Sequence, residues 1–531
     1  MDQVLIFDTT LRDGSQMPGV SFSAQDKIII AKKLDEIGIN FVEGGWPGSN
    51  PKDIHFFELA KKETWKNTKI CAFGSTHYKK FSADRDPNLQ AILDSGVSVA
   101  AIFGKSSQFH AEKILGVSCL ENLKMIENSI KFLKKNKIRV IFDAEHFFDG
   151  FFENKNFSLD CLRAAESGGA ENISLADTNG GMLPEQITEA VLEVKKILKS
   201  ATIGIHVHND GDLAVANSLA AVDAGVKLVQ GTINGIGERT GNANLCSIIP
   251  NLQIKKNKKI LTAKNLSKLT EISNLVQELC NLRGRKDLPF VGKWSFRHKG
   301  GIHVSAILKN PKSYEHINPA QVGNFSEFSV SELSGRANIA EFLKKIKIST
   351  SPEKISQFLQ IIKNKENEGI SFEAGEASLE ILARKFFEEK KLPFEILKFF
   401  VKSEKEPSNL KINKKKFLED SVEATIFLKI NNDSFHTAGF GNGPVNAIDQ
   451  AMRKTLEKKF TVTKNFQLVD FKVRIVDISL GTSAKTRVQI ETLDQNSGKI
   501  WNTVGCHQNI IFASVQALSD SFVFGIWNQK K

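Results

Sequence analysis

Apolar and β-branched runs recur through the first half of the chain at residues 4–7, 40–44, 69–74, 97–103, 138–145, 172–176, 202–208 and 228–233. The stretches between them carry helical periodicity, as at Ile30, Leu34 and Ile37, so the pattern predicts strands and helices in alternation. The punctuation agrees. Ser23 followed by Asp26 reads as a capping box, and glycine stands where helix should give way to strand, at Gly38, Gly96, Gly168, Gly169 and Gly225. Eight units of about 30 residues each imply a parallel sheet closed into a (β/α)8 TIM barrel. An open doubly wound sheet is the rival fold. The segment after the first strand, Asp8-Thr9-Thr10-Leu11-Arg12-Asp13-Gly14, lacks the glycine fingerprint of a dinucleotide-binding version.

Residues 1–250 are thus expected to form the barrel. From 251 to 402 the pattern turns helical and lysine-rich, broken by the glycine- and histidine-bearing segment 298–303, and is read as helical accessory subdomains. Residues 403–416, with Pro407, Ser408 and clustered lysines, are the best linker candidate. The remainder, 417–531, holds an internal repeat: Thr437-Ala-Gly439 matches Thr503-Val-Gly505, Ala447 matches Ala513, and Gln450-Ala451 matches Gln516-Ala517. Each copy reads as strands followed by a helix, the first helix presenting Val445, Ile448, Met452 and Leu456 on one face. A duplicated α+β domain follows.

A length of 531 residues calls for two or three domains, and 41% hydrophobic with 25% charged residues fits a globular protein. No apolar run is read as long enough to span a bilayer, and a strand starting at Val4 leaves no room for a signal peptide, so a cytoplasmic location is expected and no membrane partner. The six cysteines stand apart, without a metal or disulfide spacing, and are expected to be reduced thiols. A net charge of +12 raises the question of a polyanionic partner. The lysines are scattered through predicted helices without interleaved aromatics, so nucleic acid is not expected; a basic nucleic-acid-binding scaffold is the distant alternative.

Reactive residues gather where a barrel builds its active site, at the carboxyl ends of the strands. The first strand is followed by Arg12 and Asp13, the second carries Glu43, the fifth ends in Asp143-Ala-Glu145-His146, and the sixth in Asp177-Thr178-Asn179. In the seventh, His206-Val207-His208 points both imidazoles to one face while Val207 points away. Asp13 can supply a third ligand and the amide oxygen of Asn242 a weaker fourth. This set suits Mn, Zn, Co or Mg and leaves positions open for a 2-oxo acid. Arg12, next to a ligand, can stabilise an alkoxide or enolate by its fixed charge.

At these residues the chain resembles the acyl-transferring branch of the DRE-TIM metallolyases, the isopropylmalate, homocitrate and citramalate synthases. The matching pieces are Asp8-Thr-Thr-Leu-Arg-Asp-Gly-Ser-Gln16, His206-Val-His-Asn-Asp210, Gly235-Ile-Gly-Glu-Arg-Thr-Gly-Asn242 and His298-Lys-Gly-Gly-Ile-His303, with Tyr314-Glu-His-Ile-Asn-Pro319 beyond them. The resemblance implies metal ligation by Asp13, His206 and His208 with Asn242 nearby. It implies oxo-acid contacts from Arg12, Gln16 and Thr178, and acid/base roles for Glu145 and His303. Asp143 and His146 are alternatives to Glu145, and either Glu145 or His303 can be the base. In similar enzymes the histidine matching His303 comes from the partner subunit, so a homodimer sharing its active site is implied.

Within this family, Glu43-Gly-Gly-Trp-Pro-Gly-Ser-Asn-Pro-Lys-Asp53 resembles the long form of citramalate synthase. That implies condensation of acetyl-CoA with pyruvate and water to give (R)-citramalate and CoA, in isoleucine biosynthesis, with 2-oxoisovalerate or 2-oxoglutarate as the alternative oxo acids. Phe103 is a candidate to close the pocket around a methyl group. The C-terminal module resembles the dimerising, effector-binding domain of the same synthases. Gly439, Gly441 and Gly443, with Gly481 and Thr482, are candidate effector loops, and isoleucine is the expected effector.

Overall fold

The computed structural model describes residues 3–281, 284–403 and 422–529, so the linker read at 403–416 lies, beyond Ser403, outside the described residues. The chain gathers into two compact units, Met1–Phe296 with Glu315–Ser326, and Arg297–Tyr314 with Glu327–Lys531.

The first unit holds the barrel. Its strands are β1 (Leu5–Asp8), β2 (Phe41–Gly45), β3 (Lys69–Ser75), β4 (Val99–Lys105), β5 (Arg139–Glu145), β6 (Asn172–Asp177), β7 (Thr202–Val207) and β8 (Leu228–Gly231). They pair in parallel and in sequence order, and β8 closes on β1 from Leu5↔Leu228 to Asp8↔Gly231. The Ser23–Asp26 capping box forms in full at the head of the first helix, and Gly38 ends that helix with φ 92°, where a side chain would be strained.

Period-two alternation sorts the strand residues into two layers. Ile6, Val42, Ile102, Val140, Ile173, Ile205 and Val229 face outward under the helices. The opposite faces fill the lumen, beginning with an apolar plug of Phe7, Phe41, Cys71, Val99, Ile141 and Leu228. Two residues further along the strands the lumen turns polar, with Glu43, Asp143, Ser174, His206 and Gln230 all buried. Carboxylates and imidazoles therefore lie in a low-dielectric layer directly above hydrocarbon.

The second unit contains two three-stranded antiparallel sheets, Glu395–Ser403, Val422–Ile430 and Asp433–Gly441, then Phe466–Ile475, Thr486–Asp494 and Lys499–His507. The strand Glu395–Ser403 corrects the expectation of a helical region to 402. A bulge between Ile396 and Lys398 breaks its alternation, and exposed Leu397 and Phe400 blur the pattern. The internal repeat becomes a repeated joint. Thr437 Oγ1 donates to Ala451 O at 2.8 Å and Thr503 Oγ1 to Ala517 O at 2.7 Å, each tying a strand to the helix that follows it. Gly439 and Gly505 sit under those helices, where a Cβ would come within 2.5 Å of Ala451 N and 2.1 Å of Ala513 O.

The last helix, Ile510–Trp527, corrects another expectation, because its 18 residues are long and apolar enough to cross a membrane. Its apolar length serves packing: Ala513, Ala517, Leu518 and Phe522 enter the same core as Ile426, Leu428 and Met452. The six cysteines are all free thiols.

The joint makes a stability prediction. Gly505→Ala forces a Cβ against a helix backbone that cannot swing away, and should cost about 1–3 kcal/mol, a fall of several degrees in Tm. Gly443→Ala, placed where a Cβ meets nothing within 4 Å and changing only the N-cap of the helix Pro444–Lys459, should cost less, on the order of 0.5 kcal/mol. Equal midpoints for the two variants in a calorimetric scan would contradict this account of the repeat.

Candidate active site

Above the polar layer the barrel opens into a cavity of about 240 Å³ lined by Arg12, Asp13, Gln16, Glu145, Thr178, His206 and His208, among others. Seven residues singled out from sequence thus share one space. Asp13 comes from the turn after β1, Glu145 ends β5, Thr178 follows β6, and His206 lies on β7 with His208 just past its end.

The nitrogen and oxygen atoms of Asp13, His206 and His208 converge, one potential ligand atom from each lying within 4.8 Å of the others. His206 Nε2 is 3.3 Å from His208 Nε2 and 3.4 Å from Asp13 Oδ2. Buried Asp13 Oδ1 and His208 Nδ1 have no hydrogen-bond partner, nor has Asn242 Oδ1, whose backbone bridges to His208. Two imidazole nitrogens and a carboxylate facing one another at this range fit a divalent ion, which would satisfy them together. His208 is ready to serve as a ligand near neutrality, because burial, reinforced by the neighbouring His206, pushes its pKa down to about 4 and leaves the lone pair free.

Gln230 on β8 completes the site, although no motif in the sequence marks it. Its Oε1 lies 2.9 Å from His206 Nδ1, while its Nε2 donates to Asp143 Oδ1 at 2.6 Å and to Ser174 Oγ at 3.0 Å. Its amide is thus oriented with the oxygen towards the imidazole, so His206 Nδ1 carries a proton and Nε2 is the nitrogen that would meet an ion beside Asp13. The available signal was a lone amide inside the apolar stretch Leu228-Val-Gln-Gly231.

Arg12 neutralises the acids. Its Nε donates to Glu43 Oε2 at 2.6 Å, its Nη1 is 3.4 Å from Asp13 Oδ2, and its Cζ lies 3.8 Å from the centre of the Phe73 ring. Burial works against the Arg12 charge, but Glu43 and then Asp13 hold the guanidinium above its ordinary range. Asp13 is driven the other way: burial alone would raise it, and Arg12, followed by His206, holds it well below the usual carboxylate range. Burial dominates at Glu43, lifting it to about 7 despite Arg12. At Asp143 too the pKa is raised by burial.

Around the mouth, Lys105 Nζ bonds Glu145 Oε2 and holds that carboxylate at the cavity edge. The His146 N–H donates to Thr178 Oγ1 at 2.9 Å, which leaves the Thr178 hydroxyl hydrogen free to point at a ligand. Gln16 lies exposed at the rim. Trp46, Phe73 and Phe103 form the apolar wall. His303 belongs to the other compact unit, where its ring stacks on Tyr314 with centroids 4.1 Å apart. Of the candidate effector residues, Gly439 and Gly441 are pressed against the helix Pro444–Lys459, whereas Gly443 and Gly481 face open space and Thr482 is exposed.

Removal of the orienting amide gives a direct test. Gln230→Leu keeps the bulk but cannot accept from His206 Nδ1, and should weaken Mn or Zn binding by about 10–100-fold in calorimetric titration of metal-free protein. Asp13→Ala should abolish the binding isotherm. Wild-type affinity in both variants would remove the ion from this site.

Comparison with known proteins agrees with this architecture. The HMGL-like family model matches residues 3–276, the homocitrate synthase post-HMGL domain-like model residues 290–369, and the LeuA allosteric (dimerisation) domain model residues 373–523. The (R)-citramalate synthase of Aquifex aeolicus is 48% identical, covering 100% of this chain and 99% of its own length. That of Geobacter sulfurreducens is 46% identical, covering 98% and 97%, and that of Synechocystis sp. 43%, covering 98% and 96%. With barrel, middle segment and duplicated C-terminal module all matched along their full length, the chain belongs to the (R)-citramalate synthase family.

Proposed function

We propose that this chain condenses acetyl-CoA with pyruvate and water, yielding (R)-citramalate and CoA. The observation that carries the reading is the convergence of Asp13, His206 and His208 beside Arg12 in a small cavity that also has an aromatic wall of Trp46, Phe73 and Phe103. Asp13, His206 and His208 would hold a divalent ion, with Asn242 in reserve. Such an ion supplies Lewis acidity to the ketone of the oxo acid. Mn, Mg, Zn and Co all suit this donor set.

The chain's own residues divide the remaining work. Arg12 faces the oxygen on which negative charge grows as the new carbon–carbon bond forms, and its geometry is fixed in advance by Glu43 and Phe73. The free hydrogen of the Thr178 hydroxyl binds the oxo-acid carboxylate, with Gln16 closing over it. Glu145, steadied by Lys105, withdraws a proton from the acetyl methyl group; the carbon so freed bonds to C2 of pyruvate, and water then cleaves the thioester. His303, brought by a second subunit, is assigned the complementary acid/base role. In the duplicated module, the loops at Gly441–Gly443 and Gly481–Thr482 are proposed to take a small effector, with isoleucine the expected one.

Free thiol is the readout. With acetyl-CoA and Mn or Mg, pyruvate should release thiol rapidly, and 2-oxoisovalerate or 2-oxoglutarate far more slowly; no pyruvate-dependent release would end the assignment. Arg12→Leu should lower kcat by about 10²–10³-fold. Co-expressed Glu145→Gln and His303→Ala chains should recover activity that neither has alone, as a shared site requires; no recovery would place both residues in one subunit's site.

A further inference from the structure

The cavity has a polar side and an apolar side, held by different devices. Metal ligands, Arg12 and Thr178 occupy the first. On the second, Trp46 meets Phe73 edge-on with centroids 5.6 Å apart, and Phe103 likewise at 5.7 Å, while Phe73 and Phe103 stack at 5.4 Å. Arg12 already covers one face of Phe73. The apolar surface left for a substrate's side chain is therefore that of Trp46 and Phe103, with the small side chain of Ala176.

Of these, Trp46 is the more thoroughly anchored, although it stands in the turn after β2. Its backbone N–H donates to Asp53 Oδ2 at 2.8 Å and its indole Nε1–H to Asn88 Oδ1 at 2.6 Å. Asp53 is locked by a buried ion pair with Lys27, whose Nζ also donates to Gly44 O at 3.0 Å. Asn88 is held in turn, its Nδ2 donating to Ser75 O at 2.8 Å. The end of β2 that leads into the turn is closely packed: a Cβ on Gly44 would fall 2.0 Å from Phe56, and one on Gly45, at φ 149°, 2.4 Å from Asp53. Shifting the indole to admit a larger group would break a hydrogen bond in a half-buried setting and leave its partner unsatisfied.

We propose that Trp46 is a specificity-determining residue, its anchored indole limiting the side chain of the 2-oxo acid to a methyl group, with Asn88 as the positioning residue that keeps the indole in place. This rests on the reaction proposed above. A rigid wall discriminates by size because it cannot relax, and in an apolar pocket one methylene is worth about 10–200-fold in kcat/KM.

The test compares kcat/KM for pyruvate, 2-oxobutanoate and 2-oxoisovalerate by thiol release in the full-length chain. Trp46→Leu should raise the 2-oxobutanoate-to-pyruvate ratio by at least about ten-fold, mainly through a lower KM for the larger acid, and Trp46→Phe should raise it less. Asn88→Ala frees the indole without removing it and should shift the ratio in the same direction, which keeps the test open if Trp46→Leu unfolds. Unchanged ratios in folded Trp46→Phe and Asn88→Ala would overturn the inference and leave the reaction standing. Failure of the wild-type chain to use pyruvate would instead overturn the reaction, and this inference with it.

Discussion

Several ionisable side chains are taken out of water at one level of the barrel, and the guanidinium of Arg12 makes this tolerable, standing 2.6 Å from Glu43 and 3.4 Å from Asp13. Removal of a single partner from such a buried set strands the others at a cost of several kcal/mol. The same contacts that balance charge also fix direction. Glu43 and the Phe73 ring hold Arg12, Arg12 keeps Asp13 ionised, and Asp13 faces His206 with its carboxylate. Stability and chemistry draw here on one network, so the residues that matter for turnover are also expected to matter for folding.

Much of this is legible in the sequence itself. The eight strands stand out because each is buried on both faces and reads as an apolar run, and glycines mark the starts of β2, β4, β6 and β8. His206 and His208 were legible as a pair because strand geometry alone sends alternate side chains to the same side. Asp13 followed from its place at the end of β1. Gln230 was not legible, since nothing local distinguishes an orienting amide from an isolated polar residue. Trp46 stands inside a sequence motif, but its role depends on Asn88, which lies far along the chain on the helix Pro87–Asp94. The strand Glu395–Ser403 escaped because a bulge destroys the alternation by which strands are recognised.

The C-terminal repeat shows the converse, a pattern visible in sequence whose meaning needed geometry. Thr437 with Gly439, and Thr503 with Gly505, stand out in sequence only as matching positions of a repeat, Gly439 also as a candidate effector-loop residue; they are the seats on which two helices rest. The hydroxyl donates to a helix carbonyl and the missing side chain lets the backbones meet. One joint was made twice, which is why the spacing survives where the surrounding residues differ.

The apolar plug of Phe7, Phe41, Cys71, Val99, Ile141 and Leu228 has its own bearing on turnover. Close-packed hydrocarbon offers no chain of polar groups along which a proton could hop, so the barrel is blind at that end. Reactants and water therefore reach the polar layer from the opposite end, where the strands have their carboxyl ends. A product lingering at that end stands in the way of the next reactant.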